Sequence, residues 1–361
     1  MLDSGDFVNK LIQNSYTHLC VVPCSFAKNI INEVINNNSI EYTPCASEAV
    51  ACSMAAGLKM AGEKPLVIVQ SSGLTNMGSC ITSLLKPYEI RFPMLVSWRT
   101  YNEGDSEIQH KHLSTKLPDL INAYGYQYDV LNKKDISIAI NQIEKCNDID
   151  QICILEKETF STVLLAEKYQ LDLSKNIARS EFLKALNTKF SDHDVLFIGT
   201  TGNTSREMYS FMPDTDNFYL AGNMGGALSL GLGAAKAGKR VIVCGGDAEF
   251  VMHMGGLTNV GRYSKQINLT YIVFDNESNK STGGQNTYQK HIDYIGMAKS
   301  SNIVNTFIAN DVDSFSKVLN KVNYGVNFIY VRCSYDAETP RPPMKVVAKK
   351  SFDKSSINLI G

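Results

Sequence analysis

The chain has 361 residues, 44% of them hydrophobic and 20% charged, which is enough apolar matter for about two ordinary domains and argues against disorder. Thirty-five basic residues against 36 acidic ones leave a formal charge of −1, so no basic excess points to nucleic acid and no acidic tail is present. Mean hydropathy is −0.13, no run of about 18 apolar residues occurs, and the N-terminal MLDSGDFVNKLIQNSY lacks the basic-then-apolar order of a signal peptide, so a cytoplasmic protein with no membrane partner is expected.

Short apolar runs alternate with helical stretches. The predicted strands are 19–23, 65–70, 93–98, 152–156, 195–199, 240–245, 269–275 and 327–332, most of them rich in Val, Ile and Leu, as suits strands covered on both faces. The helical candidates 47–60 and 225–237 are apolar almost all the way round and should be buried. This alternation predicts an α/β protein with mostly parallel sheets wrapped by helices. The nine cysteines are scattered with no CxxC pair, and Cys153, Cys244 and Cys333 read as reduced, buried thiols.

The two halves resemble each other. EYTPCASEAVACSMAAGLKMAGEKPLVIVQSSG begins at Glu41 and FYLAGNMGGALSLGLGAAKAGKRVIVCGGD at Phe218. Both pass from a short strand through a turn into an Ala/Gly helix, then a Val/Ile strand and a glycine-bearing loop. IRFPMLVSW from Ile90 echoes INLTYIVFD from Ile267, and LPDLINAYG from Leu117 more loosely echoes HIDYIGMAK from His291. An offset of roughly 175 residues persists, which predicts a duplicated domain. The boundary falls in the polar stretch 166–180, with Glu167, Lys168, Lys175 and Arg179. The stretch from Glu338, with Pro340, Pro342 and Pro343, reads either as an arm over a neighbour or as a loose tail.

Gly245-Gly246-Asp247-Ala248-Glu249 follows a predicted strand, where α/β sheets bind ligands. Small residues there admit a phosphate, and the following helix offers N–H groups. Asn276 follows the next strand. Asp247, Asn276 and one backbone carbonyl can hold a hard cation such as Mg2+, with phosphate oxygens and water completing the shell.

This Asp–spacer–Asn pattern resembles the motif of thiamine-diphosphate enzymes. Asp275-Asn276 followed by Ser281-Thr282-Gly283-Gly284-Gln285 resembles, more specifically, the phosphonopyruvate and sulfopyruvate decarboxylase family, as do Thr200-Thr201-Gly202-Asn203-Thr204-Ser205-Arg206-Glu207, Pro23-Cys24-Ser25-Phe26, Ser72-Gly73-Leu74-Thr75-Asn76, Ser97-Trp98-Arg99 and Gln109-His110. The resemblance implies two thiamine-diphosphate-binding-fold domains, 1–170 for the pyrimidine and 180–361 for the diphosphate. It implies thiamine diphosphate and Mg2+ as cofactors, a small 2-oxo acid as substrate, and a homodimer or higher assembly with active sites between subunits. Decarboxylation of 3-phosphonopyruvate is the expected reaction, sulfopyruvate decarboxylation the nearest rival, and a catalytically silent thiamine-binding subunit the alternative of a different class. A single chain is expected to favour the phosphonate, because the sulfopyruvate enzymes are often split into two chains.

The resemblance assigns roles by residue. Glu48 would bond pyrimidine N1′; on the sequence alone it reads equally as a first-turn acid behind a Ser47 N-cap, and apolar neighbours there would disfavour its anion. Met224 would be the apolar wedge that bends the cofactor, or ordinary core filling, and Gly222 C=O and Met224 N–H would bind the pyrimidine edge. Thr201, Gly202, Asn203, Gly246, Ala248 and Glu249 would face the diphosphate, and Asp247, Asn276 and the Ser278 carbonyl would hold the metal. Ala248 stands where the family usually has Gly, which a right-handed backbone would tolerate. Glu249, beside an anionic diphosphate, should turn to solvent or weaken affinity. Substrate candidates are Ser25, Lys28, Asn76, Arg99, Lys111, Ser281, Thr282 and Gln285. His110 and His112 alternate and could face one side of an extended loop as proton-transfer groups, with His110 preferred for catalysis.

Overall fold

The computed structural model describes residues 1–101, 108–191, 194–335 and 339–342. In chain order the strands are β1 (His18–Val21), β2 (Glu41–Pro44), β3 (Pro65–Gln70), β4 (Met94–Ser97), β5 (Gln127–Val130), β6 (Gln151–Leu155), β7 (Leu196–Gly199), β8 (Asp216–Tyr219), β9 (Val241–Gly246), β10 (Leu269–Asp275), the two-residue β11 (Ser278–Asn279) and β12 (Gln285–Asn286), β13 (Asn305–Ala309) and β14 (Val326–Arg332).

Two six-stranded sheets result, ordered β2-β1-β3-β4-β6-β5 and, from the corresponding end, β8-β7-β9-β10-β14-β13. Every neighbouring pair in both is parallel. The strand order is the same in the two sheets, which matches the repeat seen in the sequence. In each, connections leave in opposite directions from the first and third strands, so β1/β3 and β7/β9 are the points where a ligand crevice opens at the carboxyl ends.

Alternation along each strand fills both faces. Leu19 and Val21 of β1 join an apolar cluster with Phe7, Ile30 and Ile31, while Cys20 between them joins another with Ala51 and Ala55. In the second sheet Ile242 and Cys244 pack with Phe182 and Phe315, and Val241 and Val243 with Ala227 and Leu257. The helix Glu48–Met60 is rich in Ala because it lies directly on its sheet, burying Ala51, Cys52, Ala55 and Ala56.

The chain divides into two compact units, the first comprising Met1–Gln170 with Asn279–Asn286, and the second Leu171–Ser278 with Thr287 onward. The Ser281–Gln285 segment therefore belongs to the first unit. All eight predicted strands are present within a few residues of their expected ends. Arg179, expected in a polar linker, is instead 3% exposed in the helix Arg179–Phe190. Most of the proline-bearing stretch beyond Glu338 lies outside the described residues.

Candidate active site

In the first unit, β2 ends at Pro44 and the chain turns into the helix Glu48–Met60, whose N-cap Ser47 accepts a bond from Val50 N–H at 3.4 Å. Glu48 is the first helical residue and only 4% exposed. Its Oε2 accepts from Asn76 Nδ2 at 2.8 Å. Gly73, in the helix Ser71–Asn76 after β3, lies against the same carboxyl group: a β-carbon there would fall 2.5 Å from Glu48 Oε1. Asn76, a substrate candidate by sequence, is thus placed as the partner of Glu48.

The neighbouring strand ends carry the other candidates of this unit. After β1, Ser25 is exposed and its Oγ accepts from Arg99 Nη1 at 2.9 Å; the guanidinium lies 4.4 Å from the Phe26 ring centroid. Arg99 follows β4 and is buried. His110 is buried whereas Lys111 and His112 are exposed. The expectation of one extended face for both histidines is corrected: residues 108–110 form a 3₁₀ turn running into the helix Lys111–Ser114, where positions two apart do not share a face. Ser281 is exposed, Thr282 Oγ1 donates to Asn279 O at 3.1 Å, and Gln285 is fully buried with Nε2 donating to Asn32 Oδ1 at 2.8 Å.

In the second unit the candidates gather at the carboxyl ends of β7, β8, β9 and β10. After β7, Thr201 and Asn203 are half-buried and Gly202 takes φ 78° as the N-cap of the helix Asn203–Phe211. That helix start has no side-chain cap, so its N–H groups are available to an anion. Gly222 and Met224 follow β8; Met224 is half-buried and belongs to none of the four apolar clusters of the described residues, which argues against core filling. After β9, Gly246 caps the helix Asp247–Met252 and Ala248 takes helical backbone, so its methyl imposes no strain.

Asp247 is 4% exposed, and burial, reinforced by the charge of Asp275, pushes its carboxyl up to about 7. The Ala248 N–H, the Thr287 hydroxyl at 3.2 Å and the N–H of Asp247 itself oppose this without cancelling it. The β9–β10 register pairs Gly246 with Phe274, which brings Asp247 beside the Asp275–Asn276 end of the next strand. Asn276 Oδ1 accepts from Ser278 N–H at 3.0 Å, and Ser278 Oγ is buried without a partner. Buried hard oxygens with an unrelieved carboxylate suit a hard cation. Among the described residues no group of three or more His, Cys, Asp or Glu could hold a metal, so a cation here would also need oxygens from a ligand, as a diphosphate supplies. The donor set fits a diphosphate-bound Mg2+.

Glu249 does not turn to solvent. It is 4% exposed, its Oε2 accepts from Tyr271 OH at 2.8 Å, and burial pushes it up to about 7. It points into the sheet because position 249 lies on the buried face of its short helix, with Phe250 and Met252.

One pair escaped the sequence reading. Arg179 donates through Nε and Nη2 to Glu207 Oε2 and Oε1, both at 2.8 Å, and the two side chains are 4% and 2% exposed. Glu207 lies on the helix that begins at Gly202–Asn203, so this bidentate pair fixes the helix that carries the candidate phosphate-facing turn. Glu207 stood inside a recognised motif but showed no partner, since Arg179 is 28 residues away.

Two family descriptions match the chain in order: "Thiamine pyrophosphate enzyme, N-terminal TPP binding domain" over residues 5–117 and "Thiamine pyrophosphate enzyme, C-terminal TPP binding domain" over residues 198–333. The chain belongs to the thiamine pyrophosphate enzymes. It is 28% identical over 337 residues to the phosphonopyruvate decarboxylase of Streptomyces viridochromogenes, covering 88% of this chain and 85% of that one. It is 28% identical over 317 residues to the phosphonopyruvate decarboxylase of Streptomyces hygroscopicus, covering 82% and 79%. To the sulfopyruvate decarboxylase of Methanosarcina acetivorans it is 26% identical over 342 residues, covering 86% of each. Within its class the chain is a thiamine-dependent 2-oxo acid decarboxylase. The Methanosarcina protein joins both halves in one chain, so fusion does not separate the two substrates. No helix among the described residues is long and apolar enough to cross a membrane.

Proposed function

We propose that the chain, in the cytoplasm, decarboxylates 3-phosphonopyruvate to phosphonoacetaldehyde and CO2, with thiamine diphosphate and Mg2+ bound, on a route to 2-aminoethylphosphonate or a related phosphonate. The observation that carries the chemistry is the buried Glu48 carboxylate, held by Asn76 against Gly73 at the carboxyl edge of the first sheet. The substrate rests on the two Streptomyces relatives.

When bound, thiamine diphosphate supplies the sink for the electrons left behind by CO2. Glu48 would hold a proton at pyrimidine N1′, with Asn76 fixing the carboxylate by its bond to Oε2. Met224 would set the angle between the cofactor rings, with Gly222 C=O and Met224 N–H on the pyrimidine edge. Thr201, Gly202, Asn203 and Gly246 would donate to the diphosphate from two helix starts, and Ala248 would line it. Asp247, Asn276 and the Ser278 carbonyl would hold Mg2+. Glu249 is better read as a support for Asp247's helix through Tyr271 than as a diphosphate contact. His110, which is buried, would move the proton to the product carbon, and Ser25, Arg99, Ser281 and Thr282 are the polar groups offered to substrate. Residues 1–170 would bind the pyrimidine and 180–361 the diphosphate, in a homodimer or higher assembly with active sites between subunits.

Sulfopyruvate is the second reading, supported by the single-chain Methanosarcina relative. The deciding experiment measures CO2 and aldehyde from phosphonopyruvate, sulfopyruvate and pyruvate in parallel. Preference for phosphonopyruvate is expected; preference for sulfopyruvate would keep the chemistry and overturn the substrate.

A further inference from the structure

The helix Lys28–Asn37 breaks the ordinary rules of a helix start. Its first residue is a lysine, its first turn contains no acid, and its N-cap, Ala27, makes no side-chain bond. A 3₁₀ turn, Ser25–Ala27, runs directly into this helix, and the positive end of the peptide dipoles makes this position electropositive, so a cation there is repelled and the helix gains nothing from it. Local conflicts of this sort gather at functional sites.

Lys28 is also unusually placed for a lysine. It is half-buried, and among the described residues it makes no hydrogen bond and no ion pair. By contrast Lys64, Lys86 and Lys133 of the same unit each bond a carboxylate, at 2.7, 2.7 and 2.6 Å. The helix follows β1 at the point where the strand order reverses, on the same carboxyl edge from which Glu48, Gly73 and Asn76 project after β2 and β3.

The loop Asn279–Asn286 closes on this lysine. Gly283 has φ +139°, and a β-carbon there would fall 2.9 Å from Lys28 Cγ and 2.5 Å from Gln285 Nε2. The Lys28 stem and the Gln285 amide therefore converge on one glycine. Gln285 is fully buried; its Nε2 is committed to Asn32 Oδ1, whose own Nδ2 donates to Val163 O at 2.9 Å, so the amide's orientation is fixed. Its Oε1 is left without a partner. An unpaired cation at the positive end of a helix and a buried acceptor lacking a donor are together complementary to an oxyanion that carries an O–H.

We propose that Lys28 and the start of its helix form the subsite for the tetrahedral oxyanion group on C3 of the substrate, with Gln285 Oε1 accepting from its hydroxyl. The assignment rests on the proposed decarboxylation of a 2-oxo acid bearing such a group. Such a subsite would make the enzyme prefer phosphonopyruvate to pyruvate, whose methyl group offers nothing to a cation. A phosphonate can carry a P–OH near neutral pH and a sulfonate cannot carry the equivalent, so Gln285 would separate the two.

The test uses the full chain with thiamine diphosphate and Mg2+. Wild type, Lys28→Met and Lys28→Arg are compared for kcat/KM on phosphonopyruvate and pyruvate, for binding of the unreactive phosphonoacetate and sulfoacetate by calorimetry, and for Tm. Lys28→Met should lower kcat/KM for phosphonopyruvate and the affinity for phosphonoacetate by about 10- to 100-fold, the worth of a charge-assisted bond, and leave pyruvate within about threefold. Lys28→Arg should recover much of the loss, and the Tm of Lys28→Met should hold or rise, the reverse of what a structural lysine would give. Phosphonoacetate binding unchanged in Lys28→Met, an equal loss with pyruvate, or no phosphonoacetate binding by wild type each overturns the subsite. If phosphonoacetate binds through Lys28 but phosphonopyruvate is not turned over, the subsite stands and the proposed reaction falls. Sulfoacetate binding as tightly as phosphonoacetate would overturn the role of Gln285.

Discussion

The carboxyl group of Glu48 occupies the space that a side chain on Gly73 would need: a β-carbon on Gly73 would stand 2.5 Å from Glu48 Oε1, 2.6 Å from its Cγ and 2.8 Å from its Cδ. A methyl at position 73 must therefore displace the carboxylate, and with it the 2.8 Å bond from Asn76. Because a shift of about 1 Å in a catalytic group can cost 100-fold, Gly73→Ala should lower kcat by about that factor. Thiamine diphosphate affinity should change only a few-fold, since the diphosphate candidates lie in the other unit. Steady-state kinetics with a cofactor titration checks this; a Gly73→Ala enzyme with full kcat would remove Glu48 from the proposed chemistry.

The Arg179–Glu207 pair is buried and doubly bonded, so removing one partner strands a charge in the core. Arg179→Met should cost about 3–5 kcal/mol in urea unfolding, and Arg179→Met with Glu207→Met should recover a large part of it. A double variant no more stable than the single one would mean that the pair is not an isolated unit.

Sequence patterning disclosed the interior strands and obscured the edges. Val241–Gly246 and Leu269–Asp275, buried along nearly their whole length, read as continuous apolar runs. The four edge strands, β2, β5, β8 and β13, alternate too weakly: Gln127–Val130 has two exposed residues and two half-buried ones. Of these, β2 and β8 were visible only through the internal repeat. The placement of Asp247 and Asn276 after strands and of Glu48 at a helix start was legible because strand ends and helix starts are fixed locally, whereas the roles proposed for them came from the resemblance. Glu249 was misread because its partner, Tyr271, lies on another strand, and Arg179 because a charge in a polar stretch looks solvated until its distant acid is seen.

Asp247 and Glu249 give the cofactor-free protein a characteristic pH dependence. Burial raises both to about 7, above their ordinary values of 3.8 and 4.5. The folded state thus holds protons that the unfolded chain releases, so this contribution is complete at about pH 4 and is lost as pH rises to about 7. The Tm of the cofactor-free protein should fall across that window, and Glu249→Gln should flatten the fall. Thiamine diphosphate with Mg2+ should remove the part due to Asp247 and leave the part due to Glu249. A Tm rising steadily from pH 5 to pH 8 in the cofactor-free protein would contradict the burial of these two acids.

Among the nine free cysteines, Cys45 and Cys80 are the two half-buried ones whose thiols are lowered by a neighbouring thiol, and Cys80 should be the more reactive. It is half-buried next to the helix Glu48–Met60, and the Cys52 thiol, with help from Ser53 Oγ at 3.5 Å, lowers it to about 6. Cys52 itself is fully buried and pushed up by the same bond and by desolvation. At pH 7 Cys80 would be about nine-tenths thiolate, against about one-hundredth for a thiol at 9, but a less basic thiolate is also the weaker nucleophile, so the net gain in rate at pH 7 is only several-fold. The sharper readout is the pH profile of iodoacetamide alkylation, followed by peptide mass spectrometry. For Cys80 the rate should level off above about pH 6, and Cys52→Ala should move that inflection up by two to three pH steps, to about 8 or 9. An inflection near 9 in the unsubstituted protein would show that the Cys52 thiol does not donate to Cys80 in solution.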